Sequence, residues 1–294
     1  MIIVCMIPSA GMGNQMFTYA AGLTVSRRLK TELVLDTLGF SRHSSRDYYL
    51  DKFPNITERK ATLKEVWSMS PYLALADFFK LRGNSIYRNP FRRIIFELMD
   101  KAGMFDYGKK AFSMKYDEIP DNTYMTICWG TEKFFADSAD IVREKFTFPA
   151  ECFDPVISSR IRQCNSVALH VRRGDKVNNR RGFLPSDERY ISAAIEKISA
   201  LTEKPEFFVF SDDIAWCREH LPNDCTFVDS RSEHSDMAMM TICKHIIMAP
   251  STFSWWAAWL NDNPEKIIIA PDTNLWHRNA KAGGDYLPSS WIRI

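Results

Sequence analysis

The hydrophobic pattern of the chain becomes regular at about residue 166. From there on, short apolar runs recur, four of the five rich in valine or isoleucine: SVALHV, EFFVFSD, CTFVD, HIIMAP and KIIIAP. Helical patterns separate most of them, over residues 187–201, 214–220, 236–244 and 253–261. Short apolar strands that alternate with helices are typical of a parallel sheet covered on both faces.

The first forty residues predict a strand, a tight turn, a helix and a second strand. The run IIVCMIPSA leads into GMGNQMF, a helical pattern covers Met16 to Leu29, and ELVLD ends at Asp36. This order is a β-α-β opening. Residues 37 to about 128 are less regular, because short helical stretches with many aromatic residues alternate there with breaks.

Length and pattern together predict two domains. The chain has 294 residues, about twice the usual length of one domain. Pro149 and Pro155 interrupt the helical pattern between the halves. We therefore expect an N-terminal domain over residues 1–155, with a helical insertion, and a C-terminal domain over residues 156–294.

Composition narrows the class of protein and its compartment. The net charge of +2 gives no sign of a nucleic-acid partner. The seven cysteines form no CxxC pair, which favours reduced thiols over a disulfide framework or a zinc site. No apolar run approaches the roughly 20 residues of a membrane span, and the first residues do not resemble a signal peptide. We expect a cytoplasmic protein.

Charged and polar residues stand where the predicted strands of the second half end. The run SVAL is followed by HVRRGD, and the later strands by SDD, DSRS, PSTFS and PDT. Parallel sheets bind ligands at the carboxyl ends of their strands. Burying charge is costly unless it is paired, so HVRRGD predicts either an ion pair within the protein or an anionic ligand.

Alternation along a strand separates the two arginines of HVRRGD. His170 and Arg172 are expected on one face and Arg173 on the other. An arginine fork matches a phosphate and stays charged, and Gly174 would let the backbone approach a ligand. The structural alternative is an ion pair such as Arg173 with Asp175.

Two further segments have polar residues at a strand-to-helix turn. Ser251, Thr252 and Ser254 could bind phosphate at the start of a helix or simply cap it, and the tryptophans after them favour a core over a sugar platform. GMGNQMF is neither GxGxxG nor a Walker motif, so Asn14 and Gln15 could hold sugar hydroxyls or cap the helix.

A basic segment covers residues 80–110. It holds eight Lys or Arg and three Asp or Glu, interleaved with aromatic residues. Such a segment could lie on an anionic membrane surface, although a solvated amphipathic helix is the commoner outcome.

Three segments together resemble a known family. GMGNQMF, HVRRGD and STFSWWAAWLN are similar, in order and spacing, to the alpha-1,2-fucosyltransferases of glycosyltransferase family eleven, over nearly the whole chain. HVRRGDK also resembles the core alpha-1,6 and protein O-fucosylating enzymes. The resemblance implies an α/β, GT-B-like fold, in which two Rossmann-like domains face a cleft and the C-terminal parallel sheet binds the nucleotide.

The resemblance also implies the reaction. It implies inverting transfer of L-fucose from GDP-β-L-fucose to the 2-hydroxyl of a terminal β-galactoside, with no metal and no cofactor. The acceptor would be a surface glycan or O-antigen unit on a lipid carrier, which matches a peripheral contact of residues 80–110 with the inner face of the membrane.

Roles for the donor site follow from the same resemblance. Arg172 would bind the β-phosphate as the leaving group departs, with His170 beside it on the nucleotide. The diphosphate would be bound by Ser251, Thr252 and Ser254.

The remaining implied roles concern the base, the sugar and the acceptor. Asp236 would meet the guanine or ribose, and Asn14 the fucose or the acceptor. Some core fucosyltransferases carry a carboxylate five residues beyond the aspartate of HVRRGD, where this chain has Arg180. Asp175 is then the nearest candidate for a catalytic base, and transfer without a dedicated base is the alternative.

Two other functions stay open at this point. One is a transferase for another sugar nucleotide, because Arg172 and the serine segment would recognise a diphosphate and not the sugar. The other is a non-catalytic module that binds GDP or carbohydrate. A panel of nucleotides separates the first from a fucosyltransferase, and binding without turnover would mark the second.

Overall fold

The computed structural model shows two compact units, Met1–Thr147 and Phe148–Ile294. The described residues are 1–8, 10–40, 46–70, 118–125, 130–177, 182–229, 232–276 and 285–294. The basic segment 80–110, for which a membrane contact is predicted, lies outside them, and so does Arg180. In the part of the chain that is described, no helix is long and apolar enough to cross a bilayer.

The first unit contains a small parallel sheet. Its strands are β1 (Ile2–Cys5), β2 (Leu33–Asp36) and β3 (Thr123–Met125), in the order β2-β1-β3. Three α-helices are described with it: α1 (Met12–Arg28), α2 (Leu63–Met69) and α3 (Ala139–Lys145). Short 3-10 helices cover Leu38–Phe40, Leu50–Lys52, Glu132–Phe134 and Ala136–Ser138.

Helix α1 begins earlier than the sequence pattern predicts. The pattern starts at Met16, whereas α1 starts at Met12, because GMGNQMF forms the first turn of the helix itself. From Met12 to Ser26, every residue of α1 except Asn14 is buried. A Cβ atom on Gly22 would lie 2.3 Å from Val4 Cγ1, so this glycine permits α1 to pack closely on β1.

The second unit contains a six-stranded parallel sheet in the order β6-β5-β4-β7-β8-β9. All five predicted apolar runs form strands, and the two-residue β9 was too short to predict. The strands are β4 (Asn165–Val171), β5 (Pro205–Ser211), β6 (Thr226–Phe227), β7 (His245–Ile247), β8 (Ile268–Ala270) and β9 (Ile292–Arg293).

Helices follow most of these strands. Among the residues described in the second unit, the α-helices are α4 (Pro155–Gln163), α5 (Gly174–Val177), α6 (Glu188–Leu201), α7 (Ile214–His220), α8 (Glu233–Thr241) and α9 (Thr252–Leu260). Two 3-10 helices cover Ala150–Cys152 and Thr273–Leu275. Asp187 and Asp213 cap α6 and α7 by accepting hydrogen bonds from main-chain N–H groups of the first turn.

The strand β4 has two different faces. Val167, Leu169 and Val171 are fully buried in one core cluster with residues of α6. The intervening side chain of His170 contacts the ring of Phe253 in α9 instead. The predicted alternation along SVALHVRR is therefore confirmed for β4.

Helix α9 packs against α8 and supplies much of the core. Trp255 and Trp256 are at most 1% exposed, and their rings meet edge to face at 5.2 Å. Trp259 is also buried. The core interpretation of the tryptophans is confirmed.

The chain between the halves belongs to the second unit. The sequence pattern predicted a division after residue 155, whereas the compact units divide after Thr147. The 3-10 helix Ala150–Cys152 contacts α8. Pro155 does not break a helix: it occupies the first turn of α4, where its missing N–H costs nothing, and Asp154 caps that helix.

Candidate active site

The segment HVRRGDK covers the end of β4 and the first three of the four residues of α5. Arg172 and Arg173 lie between the two elements. The main chain of Arg172 is held by Ser186: its N–H donates to Ser186 Oγ at 2.8 Å, and the Ser186 N–H donates to the Arg172 carbonyl at 2.8 Å. This reciprocal pair fixes the chain just beyond the strand.

The Arg172 side chain lies between two carboxylates. Its Nη2 is 2.6 Å from Asp175 Oδ1, and its Nη1 is 2.9 Å from Asp212 Oδ2. Asp175 belongs to α5, and Asp212 directly follows the neighbouring strand β5. The side chain is 21% exposed, so solvent or a ligand still reaches it.

Arg173 has a structural role on the other face. Its guanidinium carbon lies 3.9 Å from the centre of the Trp216 ring, and its Nε is 3.5 Å from Asp213 Oδ2. The structural ion pair considered for Arg173 is present, but its partner is Asp213; Asp175 contacts Arg172 instead. Stacking on an indole and pairing with a carboxylate hold this arginine in place.

The SDD segment after β5 serves these arginines. Asp212 Oδ1 accepts the Arg173 N–H at 2.9 Å while its other oxygen contacts the Arg172 guanidinium. A Cβ atom on Gly174 would lie 2.5 Å from Asp212 Oδ2, so this glycine leaves room for that carboxylate. Among the described residues, no group of three or more His, Cys, Asp or Glu side chains could hold a metal ion.

His170 is a buried imidazole at the end of β4. It is 5% exposed, and its ring centre lies 5.3 Å from that of Phe253. Burial, followed by the positive charges of Arg172 and Lys176, lowers the pKa of His170 to about 3. The ring is therefore neutral at physiological pH. Within the described residues its Nδ1 has no hydrogen-bond partner, which is costly for a buried polar atom.

Lys176 is a site residue that the sequence analysis missed. Its ammonium group donates a hydrogen bond to the Pro250 carbonyl oxygen. Burial and the nearby Arg172 lower the pKa of Lys176 to about 8, although the Asp175 and Asp212 carboxylates oppose the shift. The available signal was the final lysine of HVRRGDK, but a lysine in a polar segment usually lies in solvent.

The segment PSTFS begins α9. Ser251 caps the helix, since its Oγ accepts the Phe253 N–H at 3.3 Å, and Thr252 is the half-buried first residue. Ser254 is fully buried, and its Oγ bonds to the N–H and the carbonyl of Ala249, both at 3.2 Å. The geometry favours a structural role for Ser254, and its predicted contact with a diphosphate stays a prediction.

Two contacts bring HVRRGDK and PSTFS together. One is the hydrogen bond from Lys176 to Pro250, and the other is the ring contact between His170 and Phe253. We call Arg172, His170, Lys176, Ser251 and Thr252 the strand-end site. It combines two cations, an imidazole and the first N–H groups of a helix, a set suited to an anion such as a diphosphate.

A cavity of about 520 Å³ opens at the carboxyl ends of β4, β7 and β8. It shares Pro250 with the Lys176 contact and Ser186 with the Arg172 main chain. Leu184, Pro185 and Leu275 contribute apolar walls. Arg173, and not Arg172, lines this cavity, which therefore lies next to the strand-end site without including its side chains.

Two predicted site residues lie elsewhere, and their roles stay predictions. Asp236 is half-buried in α8, next to α9. Asn14 is half-buried in the first turn of α1, where its carbonyl accepts the Thr18 hydroxyl at 3.0 Å.

Gln15, next to Asn14, is structural. It is 1% exposed; its Nε2 donates to the carbonyls of Ala10 and Asp47, and its Oε1 accepts the Tyr49 N–H. The amide therefore ties the glycine turn to the segment before Leu50, and neither a sugar contact nor a helix cap is needed to explain it.

Comparison with known proteins places the chain among glycosyltransferases. The family model Glycosyl transferase family 11 matches residues 8–294. An alpha-1,2-colitosyltransferase of Escherichia coli is 30% identical over 100% of this chain and 99% of its own length. The O-antigen biosynthesis glycosyltransferase WbnK of Escherichia coli is 32% identical over 90% of this chain and 92% of its own.

A solved structure shares the fold. The crystal structure of the fucosyltransferase NodZ from Bradyrhizobium aligns with a TM-score of 0.50 at 15% identity, over 87% of this chain and 92% of that one. This likeness, together with the parallel sheets, confirms the predicted α/β, GT-B-like class. Because the family model and a full-length relative both span nearly every residue described above, the chain belongs to glycosyl transferase family 11.

Proposed function

We propose that this glycosyltransferase is an inverting α-1,2-fucosyltransferase, which moves L-fucose from GDP-β-L-fucose to the 2-hydroxyl of a terminal β-galactoside. The observation that carries the proposal is the bond from Lys176 to the Pro250 carbonyl, beside Arg172. It joins the two polar segments of the second sheet into one cationic site at the start of a helix.

The strand-end site binds the diphosphate of the donor. Arg172 offers a planar fork of N–H donors, Lys176 a compact positive charge, and α9 the main-chain N–H groups of its first turn. Ser251 and Thr252 supply hydroxyls at the same place. Sequence and geometry both support this assignment of the anion to the second unit.

The same groups lower the barrier to transfer. As the bond between the fucose anomeric carbon and the β-phosphate oxygen breaks, its electron pair moves to the GDP leaving group. Fixed positive charge at Arg172 and Lys176 stabilises that developing negative charge more than the ground state. The strand-end site can in this way assist departure through its own side-chain and main-chain groups, and independence from metal is part of the proposal.

His170 orients the nucleotide. A neutral imidazole carries one N–H donor and one acceptor nitrogen, so it can bond to a polar edge of a ribose or base without repelling Arg172. The Nδ1 atom, which lacks a partner among the described residues, is the point where such a bond would form.

An inverting transfer also needs a destination for the acceptor proton. Asp175 is the candidate base, and it is 53% exposed and bonded to Arg172. In that role one carboxylate oxygen takes the proton of the 2-hydroxyl while the new carbon–oxygen bond forms. Asn14 and Asp236 keep their proposed contacts with the sugar or acceptor and with the guanine or ribose.

The proposed acceptor is an O-antigen or other surface glycan, supported by a relative named as an O-antigen biosynthesis glycosyltransferase. Such a unit would be presented on a lipid carrier at the inner face of the membrane, to a protein in the cytoplasm. No nucleic-acid partner is proposed.

A second donor has specific support. The relative that matches the whole chain at 30% identity is an alpha-1,2-colitosyltransferase, and colitose is fucose without its 3-hydroxyl. The groups of the strand-end site contact a diphosphate and would not distinguish these two sugars. GDP-colitose is therefore the alternative donor.

The test is product formation from GDP-fucose and from GDP-colitose, each with lactose and a panel of β-galactosides, in EDTA. Mass spectrometry and linkage NMR should reveal an α-1,2-fucosylated product. A product formed with GDP-colitose but not with GDP-fucose would show that GDP-colitose is the donor. GDP binding without turnover on any acceptor would favour a binding module, and a rate restored only by manganese would contradict metal independence.

A further inference from the structure

The two carboxylates that contact Arg172 differ in their surroundings. The Asp212 side chain is 25% exposed, whereas that of Asp175 is 53% exposed. Asp212 approaches from the end of the neighbouring strand β5, and Asp175 from α5, three residues along the chain from Arg172. One contact therefore ties two strand ends together, and the other closes a local turn.

Asp212 is built into the framework of the strand-end site. One of its oxygens contacts the Arg172 guanidinium at 2.9 Å, and the other accepts the main-chain N–H of Arg173 at 2.9 Å. Gly174 has no side chain where a Cβ atom would lie 2.5 Å from Asp212 Oδ2. Three consecutive residues after β4 are thus arranged around this one carboxylate.

We propose that Asp212 is a positioning residue that holds Arg172 ready for the diphosphate, whereas Asp175 is an exchangeable counterion that the diphosphate displaces. The inference rests on the proposed function, because it takes the diphosphate of GDP as the anion. It assigns to the SDD segment a role in setting the direction of an arginine.

The physical reason is a competition between anions for one guanidinium. An exposed ion pair between residues close in sequence contributes little, since water screens it. A diphosphate carries more negative charge than a carboxylate and is also bound by Lys176 and α9, so it outcompetes Asp175. Displacing Asp212 would in addition break the bond to the Arg173 N–H.

Displacement has a consequence for the candidate base. While Asp175 is bonded to Arg172, its carboxylate is held by a cation. Donor binding would remove the Arg172 contact, so the oxygen that takes the acceptor proton loses this cation only after the donor has bound. This order predicts that replacing Asp175 strengthens donor binding and weakens base activity. The two effects can therefore be measured separately.

The experiment measures GDP affinity by isothermal titration calorimetry in wild type, Asp212→Asn, Asp175→Asn and the control Asp213→Asn. Asp213 is the matched carboxylate of the same segment, and asparagine still caps α7. We expect GDP binding to weaken about 10- to 100-fold in Asp212→Asn and to tighten about two- to fivefold in Asp175→Asn. Asp213→Asn should stay within twofold of wild type.

A double variant separates positioning from general loss of structure. Because Asp212 acts through Arg172, adding Asp212→Asn to Arg172→Ala should change GDP affinity less than twofold further. Thermal melts identify any variant that fails to fold. If Asp212→Asn does not fold, Asp175→Asn, which changes an exposed side chain, still tests whether the diphosphate displaces Asp175 from Arg172.

Three results would overturn the inference: unchanged GDP affinity in Asp212→Asn, weaker affinity in Asp175→Asn, or additive losses in the double variant. Absence of GDP binding by wild type would instead contradict the proposed function itself. The turnover number of Asp175→Asn is read separately: a large fall together with tighter GDP binding supports both exchange and the role of base.

Discussion

The two units each have a conspicuous polar segment just beyond a strand, and the two segments use their polar groups differently. In the first unit, Gln15 in the turn after β1 is 1% exposed, and both ends of its amide bond to main-chain groups. In the second unit, His170 is buried with Nδ1 unbonded among the described residues, and Lys176 has a lowered pKa. The polar groups of Gln15 all have hydrogen-bond partners within the protein. The second segment keeps a buried polar atom without a partner among the described residues, which costs folding free energy.

The difference shows how a structural polar residue is told from a binding residue. A buried amide whose donors and acceptor are all bonded stabilises the fold and needs no ligand. A lysine whose pKa is lowered, first by burial and then by Arg172, beside an imidazole Nδ1 without a partner among the described residues, is instead kept at a cost in the free protein. The strand-end site is the better candidate for chemistry on this ground.

The largest expected effect comes from the arginine pair. Arg172→Ala should lower kcat/KM for GDP-fucose by about 1000-fold or more, because the developing charge on the leaving group loses its main partner. Arg173→Lys should lower it by less than about tenfold, while its melting temperature falls as the contact with Trp216 weakens. Steady-state kinetics with both variants check this. Similar losses in the two would contradict the assignment of a catalytic role to Arg172 and a structural role to Arg173.

Lys176→Met should reduce kcat/KM for the donor by about 100-fold. In wild type the same parameter should be flat below pH 8 and fall above it, because the protonated form binds the diphosphate and the pKa of Lys176 is about 8. The variant should lack this alkaline fall. The control is Lys197→Met on the exposed side of α6, which should keep both rate and profile.

Gln15→Ala tests whether the fully hydrogen-bonded amide of the first unit is structural. The change leaves the Tyr49 N–H and the carbonyls of Ala10 and Asp47 without their partner, so the free energy of unfolding should fall by about 3 kcal/mol. Chemical denaturation measures this, and the control is Gln163→Ala, whose exposed amide donates to the Ser159 hydroxyl. A variant of normal stability that loses turnover would show that Gln15 serves catalysis instead.

The smallest effect concerns acid stability. The folded protein keeps His170 neutral to about pH 3, whereas the unfolded chain takes up a proton near pH 6.5. Stability should therefore fall as the pH drops below 6.5, by about 2 kcal/mol at pH 5. His170→Phe, which can still pack on Phe253, should remove most of this dependence. Burial also lowers the pKa of His245, so a smaller pH dependence should remain in the variant. An unchanged dependence of stability on pH in His170→Phe would contradict the assignment of this effect to His170.

Much of the second unit could be predicted from its pattern, and the errors have identifiable reasons. The five apolar runs all form strands, and within β4 His170 follows the predicted alternation. Helix α8 begins at Glu233 and not at Asp236, because the capping hydroxyl of Ser232 sets its start and the apolar pattern only begins one turn later. The pattern could not show that the Ser254 hydroxyl is buried and bonded to Ala249, and its contact with a diphosphate stays a prediction.

The sequence by itself determined the strands, the order of the three polar segments along the chain, and the family they resemble, because periodicity and local motifs are properties of neighbouring residues. Tertiary structure alone decided that Lys176 bonds to Pro250 and that Asp212 sits between the two arginines. These contacts join residues 74 and 39 or 40 positions apart, at the ends of adjacent parallel strands. Which strands become neighbours depends on how the whole sheet assembles, and no local pattern encodes that order.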